Sequence, residues 1–529
     1  MVRARFMAWV VGVAGCVPIT ATEPPAPPML PDTWVKYERM ALFADGFGEA
    51  RFRGFDDAAP QFTQFELRDQ NTGELLATVE ADVNGRFDTL LRAEAGTKVT
   101  VQPRLSGEDA EPLVFTVRDR STALTDMVRE RIAGTGSTPN RVLFAQDAPA
   151  QGASTAFVVL SGDGALDSVD ADTGRRVMPL CAFPEVQGPH GPLPATPWSA
   201  DARGSVALVT RYDQGGITAV DTGTGAILAE AAPNVPVPLG TVMHLDPALD
   251  VNGDTVAESE ITELVPRTPT GVALVGNRAF VAFGNVLDGA QPGRAQFANA
   301  FLVVFDLDGR GVPTSGYQAV PLRYHNPQHV VPTPDGLLVL VSGTGDLQRG
   351  SEWETQTDGG VEAFSTSTLQ RRFDFNLGRF APSRPVILPN GLEAYVPSIL
   401  RARLARLSLT DGRISRGPAT SNGPIELDNS DDLRTTFECG LHPTGLVFCG
   451  LFDTDALVVV DSRDDAVRPW PFNDVIALGE GSGAMKQGLQ SLAMRPGRNG
   501  VDRNGNDILV LLSLSSRVAA LDTRFVLGP

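Results

Sequence analysis

Between Phe62 and Asp119 the chain alternates apolar and polar side chains in short runs, FTQFELRD, ELLATVEADVNGRFDTLL, TKVTVQPRL and PLVFTVRD, separated by Gly, Asn, Asp and Pro. A period of two between turn residues predicts half-buried strands, so residues 36–120 are expected to form a small β-sandwich. Asp82, Asn84 and Gly85 fall in an Asp-x-Asn-Gly step whose Asn-Gly pair favours a hairpin turn over a metal site. One stretch breaks the alternation: Thr122 to Ala133 is amphipathic at helical spacing and predicts a helix within a linker at 121–138.

From Pro139 to the end the pattern repeats. Seven apolar strands close on Asp or Ser before a polar turn: LDSVDADTG, GITAVDTGTG, FLVVFDLDG, GVEAFSTSTL, LARLSLTDG, LVVVDSRDD and RVAALDTRF. Equivalent positions are Asp170, Asp221, Asp306, Ser365, Ser408, Asp461 and Asp522, spaced by 51, 85, 59, 43, 53 and 61 residues. Intervals of that size suit four-stranded blades with inserted loops, which predicts an all-β chain with a seven-bladed β-propeller over 139–529. A carboxylate or hydroxyl at a strand end can accept the N–H groups of the following turn, so the repeated positions are read as structural.

The phrases HVVPTPDGLLVLVSG, PVILPNGLEAYVPS and ALVTRYDQGGITAVDTGTGAIL resemble YVTN-type and lactonase-like propeller repeats. The stretch NTGELLATVEADVNGRFDTLLRAEAGTKVTVQPR resembles bacterial Ig-like modules, which implies an Ig-like sandwich at 36–120 ahead of the propeller.

The chain opens with Arg3 and Arg5 before an apolar run from Phe6 to Gly15, the order of an export signal and too short to span a bilayer. Val13-Ala14-Gly15-Cys16 resembles the bacterial lipobox, which implies cleavage of the signal peptide 1–15 and lipidation of Cys16. Residues 16–35 are rich in proline without a periodic apolar face, as in a stiff tether. Val17, instead of Asp, after the cysteine resembles outer-membrane sorting, so the expected location is the cell envelope, at the outer membrane with either side open. Loss of the two signal arginines takes the net charge from −19 to −21, which argues against nucleic-acid partners.

Three further cysteines remain. Cys439 and Cys449 flank a ten-residue fold-back and are the expected disulfide, leaving Cys181 free and buried. In the longest insert, Asp250, Asn252 and Asp254 have the 1-3-5 spacing of calcium ligands, with Glu258 as a further carboxylate. Thr255 and Ile261 stand where an EF-hand has glycine and a bidentate acid, so a solvated acidic turn is the alternative to this candidate calcium site. His329 and His442 occur on strands of the kind that line a propeller's central channel, and Arg384 joins them as a polar candidate.

Walker A, Gly-x-Ser-x-Gly, His-Glu-x-x-His and Cys-x-x-Cys-His are all absent, and no catalytic residue is assigned. The expected function is a non-catalytic, lipid-anchored binding or scaffold protein that presents its propeller to an envelope protein or a small ligand. The inserted loops at 231–267 and 284–300 are the first places to look for recognition. The alternative is a lactonase- or lyase-type enzyme in the central channel. Convergence of His, Arg and Glu side chains at a channel mouth would favour it; an apolar mouth would count against it.

Overall fold

The computed structural model describes most of the chain from Val35 to Leu521. Residues 1–34 and 522–529, and internal stretches that include 118–127, 146–154, 246–258, 428–434, 478–487 and 496–507, lie outside the described residues. Cys16, the tether and the calcium candidates Asp250, Asn252, Asp254 and Glu258 are among those not described. Among the described residues the only helical element is a short 3-10 turn, Gly378–Phe380.

The N-terminal unit is a two-sheet sandwich. Met40–Ala44, Ala50–Gly54 and Phe87–Leu91 form one sheet; Leu75–Glu80, Gln64–Asp69, Lys98–Leu105, Glu108–Asp109 and Leu113–Thr116 form the other. Alternate residues of Lys98–Leu105 are buried, as a strand facing one core requires. That core is aromatic: the Phe87 ring lies 4.9 Å from Phe52 and 4.4 Å from Phe65. The Asp82–Gly85 step is not a hairpin. Leu75–Glu80 pairs with Gln64–Asp69 in one sheet while Phe87–Leu91 pairs with Ala50–Gly54 in the other. Burying Ala81 and Phe87 between the sheets carries the chain across the core instead of back along one ladder. Gly85 still takes φ +76°, and its N–H bonds the Asp82 carbonyl at 2.9 Å.

Seven antiparallel sheets follow, each entered by a strand on the central axis. These inner strands are Pro139–Phe144, Pro197–Arg203, Pro269–Val275, Pro327–Pro332, Val386–Ile387, Cys439–Leu441 and Leu489–Met494, of blades 1 to 7 in order. Apolar cores fill the gaps between successive blades, for example Leu143, Val159 and Val209 between blades 1 and 2, and Val142, Leu511 and Val518 between blades 7 and 1. Blades 3 and 4 approach so closely that a Cβ on Gly271 would sit 2.6 Å from the backbone N of Val330 and 2.7 Å from the backbone of His329. Glycine is therefore required at that point of the channel wall.

The repeated turn after the third strand has a common form. The N–H of the fourth residue returns to the carbonyl of the strand-end residue: Gly225 to Asp221, Leu369 to Ser365, Gly412 to Ser408 and Asp465 to Asp461. That fourth residue has positive φ in every case, from 58° at Leu369 to 74° at Gly412. The Asp221 carboxylate accepts the Thr224 hydroxyl at 2.8 Å and the N–H groups of Thr224 at 2.8 Å and Gly223 at 3.0 Å, a local cap that also holds its pKa below the usual range. In blade 3 the cap moves to Asp308, which accepts the N–H groups of Arg310 and Val312.

The described part of the stretch expected as a linker helix, from Val128 on, is a strand. Val128–Gly134 pairs antiparallel with Arg517–Leu521 and supplies the fourth strand of blade 7. A short amphipathic helix cannot compete with the open edge of a three-stranded blade, whose unpaired backbone groups this segment satisfies as a strand. The ring is thus closed by a segment that precedes blade 1.

Candidate functional site

Because each blade runs from its inner strand outward, all seven inner strands point the same way along the channel. Connections between blades, and those between second and third strands, then share the face on which the inner strands begin. Four inserted two-stranded ribbons stand on that face: Val186–Gly188 with Gly191–Leu193, Val237–His244 with Glu260–Leu264, Val286–Asp288 with Ala295–Phe297, and Leu347–Arg349 with Trp353–Thr355. Two of them are the inserts expected to carry recognition. They are fastened together, since the Gln296 amide donates to the His244 carbonyl at 2.7 Å and the Asn299 amide to the Leu239 carbonyl at 2.8 Å.

Among the described residues, two cavities lie along the channel. Toward the ribbon face, the starts of the inner strands enclose about 70 Å³ bordered by Asn140, Trp198, Gln328, His329 and Gln490. Farther along lies a chamber of about 390 Å³ whose wall combines Val142, Val272, Val330, Val386, Leu492 and Met494 with the charged side chains of Asp201 and Arg384. Arg141 borders both.

Where the cavities meet, four charged side chains from four blades converge. Glu438, at the threshold of blade 6, is buried and accepts the Ser491 hydroxyl, the Leu492 N–H at 3.3 Å and Arg384 Nη1 at 3.3 Å. Arg141 Nε lies 3.9 Å from the same carboxylate, while Arg141 Nη1 donates to the Ser199 hydroxyl. Asp201 accepts the N–H groups of Leu274 at 2.8 Å and Ala202 at 2.9 Å. Asp201 and Glu438 each bond the inner strand of the next blade, so the carboxylates stitch the ring while neutralising the arginines. Serine and threonine hydroxyls do the same elsewhere: Thr210 donates to the Thr270 carbonyl at 2.9 Å, and Thr270 to the Pro327 carbonyl at 2.7 Å.

Burial dominates the titration of this cluster. It pushes the Arg141 guanidinium down to about 10, helped by repulsion from Arg384 and opposed by Glu438 and Asp201. Burial also raises Asp201, against the two backbone donors and the arginines. His329 is held well below its ordinary value by burial and then by the positive charge of Arg141 and Arg384. Its ring is therefore neutral at physiological pH, and its Nδ1 is buried with no hydrogen-bond partner among the described residues.

Of the polar candidates read from sequence, His329 and Arg384 are brought into the channel. His442 is not. It is fully buried where blade 6 turns from its first strand to its second, with its ring 6.2 Å from Phe448, and it borders neither cavity. Its N–H bonds the Leu446 carbonyl at 2.8 Å, a register that directs the ring into the blade. His325, four residues before His329, instead pairs through Nδ1 with Asp346 at 2.8 Å. Cys439 and Cys449 are disulfide-bonded directly opposite each other, with Cα atoms 4.2 Å apart, and Cys181 is a buried thiol raised by its burial. Among the described residues no cluster of His, Cys, Asp and Glu could hold a metal ion. Sequence reading missed Arg141, Asp201 and Glu438. The available signal was a buried charge within or beside an inner strand, as at Arg141 in PNRVLF.

No family model matches the chain, and no curated protein matches it. Among solved structures the chain is similar to Kuenenia stuttgartiensis hydrazine synthase, at 13% identity and a TM-score of 0.47, over 73% of this chain and 96% of that one. A likeness at that level adds nothing to the reading of the channel.

Proposed function

We propose that this chain is a non-catalytic binding protein of the cell envelope, held at the outer membrane by a lipid on Cys16, whose propeller admits a small ligand to its central channel. The observation that carries this reading is the chamber of about 390 Å³, walled by residues of all seven blades, in which apolar side chains stand beside Arg141, Asp201 and Arg384. The polar groups beside it are largely committed to one another, as the three donors on Glu438 illustrate, which suits holding a ligand better than transferring protons. The Ig-like module and the tether serve as spacers, and the ribbons on the opposite face offer a surface to an envelope protein partner.

Two measurements test it together. Ala493 borders the chamber and is partly exposed, so Ala493→Phe fills it; the variant retains its melting temperature within a few degrees and loses small-ligand binding. Cys16→Ala abolishes palmitate labelling and releases the protein from membranes. Ligand binding untouched by Ala493→Phe, or labelling that persists without Cys16, refutes the corresponding half. The unpartnered Nδ1 of His329 is the one observation that favours a lactonase- or lyase-type enzyme. Turnover of a lactone panel that vanished in His329→Gln would establish that rival.

A further inference from the structure

We infer that the channel ligand is a small organic carboxylate, its head group held by Arg384 and Arg141 and its apolar body laid along the apolar side chains of the chamber. This inference rests on the channel being the ligand site and adds the chemistry of the occupant.

Three features point to an anion. Arg384 keeps 28% of its side-chain surface exposed while bordering the chamber, and its hydrogen bond to Glu438 uses Nη1 alone among the described residues. Its Nε and Nη2 make no other hydrogen bond among the described residues, and the chamber it borders is lined by Arg141 and Asp201 as well as by apolar side chains. Arg141 is 7% exposed at the side chain, borders the same chamber, and its Nε has no hydrogen-bond partner among the described residues. A buried guanidinium N–H left unmade is costly, and a carboxylate oxygen is the group that repairs it best.

The nearby acids do not fill this role. Glu438 already receives Ser491, Leu492 and Arg384, and Asp201 receives Leu274 and Ala202. Burial first, and then repulsion from Arg384, lowers Arg141, and an entering negative charge offsets that repulsion. Two guanidiniums without a cradle of backbone N–H groups suit a monoanion better than a phosphate. Val142, Val272, Val330, Val386, Leu492 and Met494 give the body of such a ligand an apolar lining.

The test is isothermal titration of the full lipoprotein in detergent, with hexanoate, hexan-1-ol, hexylammonium and inorganic phosphate, each corrected for protein-free micelles. Hexanoate is expected to bind at least tenfold more tightly than hexan-1-ol, with no heat from hexylammonium or phosphate. Arg384→Gln then costs hexanoate at least tenfold, Arg384→Lys costs less because charge is retained without the planar fork, and Ala493→Phe removes binding altogether. Equal binding of hexanoate and hexan-1-ol, both blocked by Ala493→Phe, overturns the carboxylate assignment and leaves the channel as the site. Phosphate binding lost in Arg384→Gln also overturns it, in favour of an inorganic anion. Absence of binding by every probe, or hexanoate binding indifferent to both Arg384→Gln and Ala493→Phe, overturns the site and its ligand together.

Discussion

Replacing Glu438 by Gln changes one atom pair at the point where four blades meet. The carboxylate is 4% exposed at the side chain, lies 3.3 Å from Arg384 and 3.9 Å from Arg141, and accepts Ser491 and Leu492 from blade 7. Gln keeps an acceptor for one of these donors but turns an NH2 toward another, and it leaves two guanidiniums without their shared counter-charge. Breaking a buried ion pair from one side costs about 3–5 kcal/mol. Arg384 is partly exposed and water screens its share, so the lower end, about 3 kcal/mol, is expected. The propeller from Pro139 to Leu521 has roughly 380 residues, and at about 2.1 cal/mol/K per residue its unfolding entropy is about 0.8 kcal/mol/K, so the melting temperature falls by about 4 °C. Calorimetry reads this directly. Adding Arg141→Met to Glu438→Gln removes one of the stranded charges, so the double variant recovers part of the loss and shows a coupling of at least 1 kcal/mol by the double-mutant cycle. A single-variant loss below about 1 kcal/mol, or strict additivity in the cycle, would refute the view that this cluster holds the ring together.

Two other outcomes follow from the same structure. His329 has a depressed pKa in the folded protein, so the unfolded chain binds the extra proton; its contribution to stability is complete above about 6.5 and is lost as pH falls below that value toward the folded pKa. Urea midpoints between pH 7 and 4.5 therefore fall more steeply for the wild type than for His329→Gln, by up to about 1.4 kcal/mol per pH unit, and parallel curves would exclude the histidine as the cause. Deleting Val128–Gly134 strips the outer strand from blade 7, whose ladder pairs Gly134 with Arg517, Ala133 with Val518, Arg131 with Ala519 and Val128 with Leu521. At about 1 kcal/mol per hydrogen bond the loss is several kcal/mol, with an exposed edge that favours aggregation. A synthetic peptide spanning residues 126–136 should restore part of the melting temperature, and a deletion variant as stable as the wild type would show that the closure is dispensable.

By itself the sequence determined what depends on neighbours a few residues apart. Strand alternation and turn residues announced the sandwich strands and the seven-fold repeat, because a period of two and an Asp221 carboxylate bonding the N–H groups of Gly223 and Thr224 are local events. The Cys439–Cys449 bridge was legible for the same reason, as the two face each other across one hairpin. Tertiary structure decided everything that joins distant chain. The segment 128–134 has a pattern compatible with a helix, and only the unpaired edge of Arg517–Leu521, at the far end of the chain, makes it a strand. The turn at Gly85 looked like a hairpin until the demand to bury Phe87 sent its two strands to different sheets. His329 lies within its inner strand and borders the channel, whereas His442 falls just past the end of its own, in the turn, where its ring is buried in the blade. Arg141, Asp201, Arg384 and Glu438 share no spacing that a sequence pattern could reveal. Each comes from a different blade, and they form a cluster only because ring closure brings the inner strands onto one axis, where low solvent exposure makes their mutual charge decisive.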